Sequence, residues 1–571
     1  MILATGCSGN IAGPGGQSAS GGNTVVGPTG TGGNIGTGGN TVVVGSGGAM
    51  AIPGKPSSLL GLASGDNPTA HMHKLTATEF ANSVHDLLGD AAPLSVVEVD
   101  TTTGGFAAAA ASVATISPAG VAQYETASGM ATDYAFSDAT RAAAVLGCMP
   151  ASATDQVCAK AAITEIGRRA FRRPLTDAEV TRYVTLATTI AGVAGNTMLT
   201  GLRHAVWAIL QSPSFLYRVE LGAPSAADGG RNKFSDFEMA SRLSGALWGS
   251  VPDDMLLDAA AQGKLSSADD VKAQAQRMLA DDRMHRAFTA FVADLYDKVD
   301  LEQADKDQTL YPTFTSTLRD ALQHEIEQRI DDMVFTEKGD YLSLLESKTT
   351  FVNNELAAYY GVPTAATDSW RKVTLPDSPP RVGLLGAGAI LAGQGLPART
   401  SPTSRGKFID TALLCRTIPP PPNMVPPLPD QNDEPNTTVR QRLTMHRTMA
   451  SCAACHALMD PIGFGMESFG TDAKYRTTDN NLPIDATGTL DGMDFNGLAQ
   501  LGSVLHKEPS VGPCLVSMVY TYTQGRSINE KDAPPLDTLA SAFASGGNHV
   551  DQLLLDLVTS DSFRFVEPVK P

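Results

Sequence analysis

Three times along this chain a Ser or Thr stands three residues ahead of a Glu where an apolar run begins: Thr76 with Glu79, Thr176 with Glu179, and Ser235 with Glu238. In such a pair the hydroxyl accepts from the amide three residues on. The carboxylate reaches back to the first amide, so each pair fixes a helix start. The runs that follow keep helical spacing. Phe80, Val84, Leu87 and Leu88 form one stripe, closed by Gly89, and Ile163, Ile166, Ala170 and Phe171 form another, ended by Pro174. Further helices are predicted over Met198–Gln211, from Ser235 through Trp248, and over Val271–Leu279, Met284–Tyr296 and Leu318–Phe335. Ala91–Thr140, rich in Thr, Ala and Gly, reads as loop and short helix. Strand-like alternation is scarce, so the chain is expected to be mainly α, with a multidomain helical body.

At 571 residues, three or four domains and a large core are accessible. From Ser8 to about Lys55 the chain is mostly Gly, Asn, Thr and Ser, and Gly21–Val26 recurs at Gly38–Val43. Such a segment buries too little apolar surface to offset its ordering entropy, so residues 1–60 read as a disordered tether. The folded body is divided into a helical block at 71–155, a second at 156–225, a central helical domain at 230–365 and a C-terminal domain at 375–571. A net charge of -18 argues against nucleic acid or an anionic membrane surface as partner. No window of about eighteen uncharged apolar residues is present. Val382–Leu396 comes nearest and is interrupted by Gly, which suits a buried helix or turn.

The chemistry is concentrated at Cys452-Ala453-Ala454-Cys455-His456. Cys-x-x-Cys-His is the spacing by which haem c is held: each thiol adds to a vinyl group, and the imidazole of His456 is placed to ligate the iron. The alternatives are a redox disulfide or half of a zinc site. Zinc would want a second paired set of thiolates or imidazoles, and a thioredoxin-like dithiol would want a βαβ context; neither is visible. Carbonyls near Asp460-Pro461 are expected to accept the Nδ1 hydrogen of His456, or else to form a plain turn. For the sixth iron position the candidates are Met493, His446, Met466, Met518 and His506, or an open site. Met459 lies too close in sequence to reach the other side of the ring.

Cys7 follows Leu3-Ala4-Thr5-Gly6, which looks like a lipoprotein processing site. Met1–Leu3 is too short to supply the basic and apolar segments of such a leader, so either the natural start lies upstream or Cys7 is incidental. Cys148, Cys158, Cys415 and Cys514 remain, suited to two disulfides with three possible connectivities. Cys148–Cys158 with Cys415–Cys514 is favoured over buried free thiols. Both haem c attachment and disulfides belong outside the cytoplasm.

Leu75–Phe80 with Asp86–Gly89, Arg168–Thr176, Gln211–Arg218, Phe351–Asn354 with Tyr359–Gly361, Thr400–Gly406 and Met459–Phe464 occur in that order. Together they resemble the multi-block "domain of unknown function" proteins abundant in planctomycetes and myxobacteria, which end in a cytochrome c-like block. The resemblance spans about His71 to Phe565. It implies an exported, mostly helical protein whose C-terminal domain carries one haem c through Cys452, Cys455 and His456. It establishes neither substrate nor electron partner.

The expected function is therefore electron transfer through a haem c in the cell envelope, with a redox partner protein. The periplasm or an outer-membrane lipoprotein anchored through Cys7 is the expected location. A haem-dependent oxidase or peroxidase, and a non-redox binding scaffold, are the alternatives. No Gly-x-Ser-x-Gly elbow, Walker loop or His-Glu-x-x-His is present. The Arg168, Arg169, Arg172 and Arg173 cluster is expected to be an ion-paired helix face, with an anion or a haem propionate as the other reading.

Overall fold

The structure is a computed structural model that describes residues 71–567, apart from 226–229, 297–300, 302–304, 420–435 and 447–449, and apart from the side chains of His71, Met445, His446 and Ala450–Cys452. The expected tether, Cys7 and most of the Pro-rich span before Asn436 lie outside the described residues.

The Ser/Thr–Glu pairs start helices as their chemistry dictates. Thr76 Oγ1 accepts from the Glu79 amide at 3.1 Å, and Glu79 Oε2 accepts from the Thr76 amide at 2.9 Å, opening the helix Ala77–Leu88. The same reciprocal bonds open Asp177–Ala191 and Asp236–Trp248. Gly89, at φ 104, lies in backbone space that favours glycine and closes the first of these. Gln156–Ala170, Met198–Leu210, Ala268–Leu279, Asp282–Tyr296 and Ser316–Asp331 supply the other expected helices. The last continues as a π-helical turn, Asp332–Glu337.

One expectation is corrected. Ala91–Thr140 contains an 18-residue helix, Pro118–Ala135, capped by Ser117 and preceded by a short one at Ala107–Ala111. Its buried face is Gly120, Tyr124, Ala127, Ser128, Ala131, Thr132 and Ala135, all small residues apart from Tyr124. A face of small residues, Ser and Thr among them, contrasts little with its polar neighbours, which hides the helical period.

Two large hydrophobic cores form among the described residues, beside a small cluster of Val439, Leu443 and Phe464. One gathers Leu75–Val97 side chains with those of Tyr124–Leu216, and so joins the first two blocks. The other runs from Phe234 through the central helices to Phe563, with Phe106 and Ala109 added, and underlies both the 230–365 and the 375–571 regions. Strands are short and mostly paired two by two. His71–Lys74 pairs antiparallel with Tyr217–Glu220, which ties the start of the body to the end of the second block. Asn232–Lys233 is the middle strand of three, between Ala223–Pro224 and Phe565–Val566, and so holds the C-terminal end against the centre of the chain.

Cys148 is bonded to Cys158 and Cys415 to Cys514. No helix among the described residues is long and apolar enough to cross a membrane.

Candidate haem c site

Cys452, Cys455 and His456 all lie in one helix, Ala450–Gly463. At 3.6 residues per turn, positions i, i+3 and i+4 fall on one face, so the three motif residues share a side of the helix. Cys455 is a half-buried free thiol. Pro461 lies within the last turns and offers no amide to the carbonyl four residues back.

This helix is pressed against a second, Pro402–Phe408, with backbone nearly touching backbone. A Cβ on Gly406 would stand 1.8 Å from the Met459 carbonyl oxygen, and one on Gly463 would stand 1.8 Å from that of Pro402. Only glycine at both positions permits the approach. The consequence for the site is direct, because the same contact brings the Thr403 hydroxyl beside Nδ1 of His456.

Nδ1 of His456 lies 3.0 and 3.1 Å from the two carboxylate oxygens of Asp460, one helical turn on. Thr403 donates its hydroxyl hydrogen to Asp460 Oδ1 at 2.8 Å and lies 3.4 Å from Nδ1. The Asp460 carboxylate is fully buried, and the His456 ring is 16% exposed. The expected partner of Nδ1 was a backbone carbonyl near Asp460-Pro461; the partner is the Asp460 side chain. The reason is that the segment is helical. Carbonyls there point along the axis, while side chains four apart meet. An Nδ1–H that donates to a carboxylate makes Nε2 the nitrogen carrying the lone pair.

The floor beneath is built by Arg405, which is fully buried. Its guanidinium donates to the carbonyls of Leu391, Met466, Phe469 and Gly470 and pairs with Glu467. Burial pushes this guanidinium down to about 10, with Glu467 pulling the other way. One arginine thus fixes the loop after the motif helix to the helix before it.

The sixth-position candidates scatter. Met466 is wholly buried in the core, and Met518 packs against the core from the helix Val511–Gln524. His506 pairs with Glu346 at 2.7 Å. Met493 begins the strand Met493–Asn496, half buried, and the side chain of His446 is outside the described residues. A cleft of about 580 Å³ opens beside the last turn of the motif helix, lined by Pro461, Phe464, Arg440 and Phe495 among others. Cys455 and His456 do not line it. Among the described residues no cluster of three His, Cys, Asp or Glu side chains is arranged to hold a bare metal ion. The residues that are described fit an iron porphyrin: a thiol and an oriented imidazole on one helical face, with the imidazole steered by a buried carboxylate.

Asp460 and Thr403 went unnoticed in the sequence as site residues. The signal for Asp460 was its i,i+4 spacing from His456, which is informative only once the stretch is known to be helical.

Five family models match the chain in succession. Each is described as a protein of unknown function: DUF1587 over residues 73–137, DUF1595 over 158–220, DUF1592 over 234–362, DUF1588 over 381–479 and DUF1585 over 491–563. The chain is a multi-block protein assembled from these five domains, and the Cys452–His456 motif falls within the fourth. No curated protein matches it, and no solved structure does.

Proposed function

We propose that this chain is an exported protein holding one haem c through Cys452, Cys455 and His456, and that it passes electrons to or from a partner in the cell envelope. The observation that carries the reading is the buried Asp460 carboxylate against Nδ1 of His456, on the helix that also holds both cysteines. Such a partner fixes the ring, selects Nε2 as the ligating nitrogen and raises its basicity. A bound haem supplies one-electron chemistry at a potential set by its ligands and their surroundings. What the chain contributes is the clamp of two helices, the oriented imidazole, and Thr403 holding the carboxylate in place. Two disulfides support an oxidising compartment. Met493 and His446 are retained as candidates for the sixth position.

The test is to send the full chain through an export signal into a host that matures c-type cytochromes, then to weigh it after denaturation. A porphyrin adduct that disappears in a Cys452→Ala/Cys455→Ala variant supports the reading, and an unmodified mass defeats it. A second reading, a haem oxidase or peroxidase, is favoured by the same carboxylate. Added negative charge behind the imidazole strengthens its donation to iron and stabilises the ferric state. Carbon monoxide binding to the reduced protein separates the two: a coordinatively saturated iron ignores it, and an open one takes it up.

A further inference from the structure

Of the four arginines clustered before Pro174, two pair with carboxylates, and a half-buried third bonds a carbonyl. Arg168 pairs with Asp254 and Asp258, Arg173 makes two bonds of 2.9 Å to Glu179, and Arg169 donates to the Asp86 carbonyl. Arg172 differs. It is 3% exposed, yet no carboxylate pairs with it among the described residues. Its Nη1 donates to the carbonyls of Phe215, Ala170 and Ser214, at 3.1 to 3.5 Å. Its Nε and Nη2, the edge that matches the two oxygens of a carboxylate or phosphate, meet no acceptor among the described residues.

The surroundings repeat the pattern. Arg218 is 7% exposed, and its Nε also lacks an acceptor; its other nitrogens stand 3.4 Å from Glu79 and 3.7 Å from Glu220. Glu220 is shared again with Arg242 and His73. Three buried guanidiniums, Arg172, Arg218 and Arg242, thus face two carboxylates, Glu79 and Glu220. The hydroxyl of Ser241, 4% exposed, has no partner among the described residues either. Arg172, Arg218 and Ser241 all line one cleft of about 390 Å³, with Phe171, Tyr217 and Phe237 as its apolar walls. The carboxylate on its rim, Glu238, is already engaged by the amides of Leu221, Gly222 and Ser235.

Two features show that the arrangement is built rather than incidental. Arg172 holds φ 59, a left-handed conformation normally left to glycine at a helix end, and so bears strain that its surroundings enforce. A Cβ on Gly245 would stand 1.8 Å from Arg218 Nη1, so a glycine there makes room for the guanidinium. Burial and the nearby Arg218 together push the Arg172 guanidinium down to about 9, as expected of a cation lacking its counterion.

We propose that this cleft, between the second and third family blocks, is a binding site for a small organic anion whose carboxylate or phosphate head meets Arg172, Arg218 and Ser241 and whose apolar body lies against Phe171, Tyr217 and Phe237. The volume suits a small molecule, and guanidinium forks with an apolar wall suit an acid of that kind. The inference stands apart from the haem reading and holds whether or not the chain carries haem.

The test is calorimetry on the full chain with benzoate, phenyl phosphate, inorganic phosphate and neutral benzyl alcohol. Saturable binding of benzoate or phenyl phosphate, at least about tenfold tighter than benzyl alcohol, is expected. The tighter of the two names the head group, and inorganic phosphate reports how much binding the head alone provides. Arg172→Gln should weaken binding at least about tenfold. Because that residue is buried, Val219→Trp is the companion variant: Val219 lines the cleft and is 42% exposed, so the larger ring blocks the site without entering the core. It should abolish binding while leaving the unliganded melting temperature unchanged. Equal binding of the alcohol, no saturable binding of either aromatic acid, or binding undiminished in Val219→Trp would each overturn the proposal.

Discussion

The carboxylate of Asp460 lies 3.0 Å from Nδ1 of His456 and is wholly shut off from solvent, while the imidazole itself reaches the surface. An acid buried beside a ring is placed to act on that ring's other nitrogen. The candidate site is defined by this pair more than by the short cysteine motif.

The first prediction concerns that pair. Asp460→Asn keeps the shape and removes the charge, so the imidazole becomes a weaker donor. In the proposed haem-bound form, the potential should rise by about 60 mV, the one-electron equivalent of a tenfold loss of preference for the ferric state. Spectroelectrochemical titration of the matured protein measures it. An unchanged potential would mean that the carboxylate does not act on the iron.

The helix clamp gives the second. Gly406→Ala drives a methyl group into the Met459 carbonyl, and the helices must separate. Overpacking of this kind costs about 1–3 kcal/mol. The denaturant midpoint should fall, and the yield of covalent haem should fall with it, because Thr403 and Asp460 sit across the same contact.

The disulfides differ in reach. Cys148–Cys158 spans a sequence separation of 10, and Cys415–Cys514 one of 99. On chain entropy alone, losing the short bridge should cost about 3 kcal/mol and the long one nearly 5. Comparing urea unfolding of the two double Cys→Ala variants checks the order.

A pH dependence follows from Asp410. Its burial outweighs the pull of Arg416 and raises the carboxyl to about 6. A carboxyl raised in the folded state costs stability once it ionises, so its penalty grows as pH rises from about 4 through 6 and is absent below. Asp410→Asn should therefore be more stable than the parent at pH 7, by up to about 3 kcal/mol, and should lose that advantage near pH 4. Thermal unfolding at both values decides it.

Much of the fold could be read from the chain because its helices announce themselves with side-chain chemistry. Thr76, Thr176 and Ser235 each form the reciprocal cap that their spacing with Glu implies. The helix Pro118–Ala135 is hard to see in the sequence because its inward face is mostly Gly, Ala, Ser and Thr. At the candidate site the cysteine spacing drew attention to the right helix, but the Asp460 side chain, Thr403 and the structural Arg405 depend on tertiary contacts across more than fifty residues. The Arg168–Arg173 cluster shows the same limit. Its members look alike in the sequence, and only the fold separates Arg172, which lacks a carboxylate partner, from Arg168 and Arg173, which have one.

The strand Asn232–Lys233 waits for Phe565–Val566, more than three hundred residues downstream, to complete its ladder, and Arg242 likewise donates to the Phe563 carbonyl. A nascent polypeptide cannot satisfy those groups until Val566 has left the ribosome. Removing residues 556–567 should therefore leave an open edge at Asn232–Lys233, in the middle of the described chain.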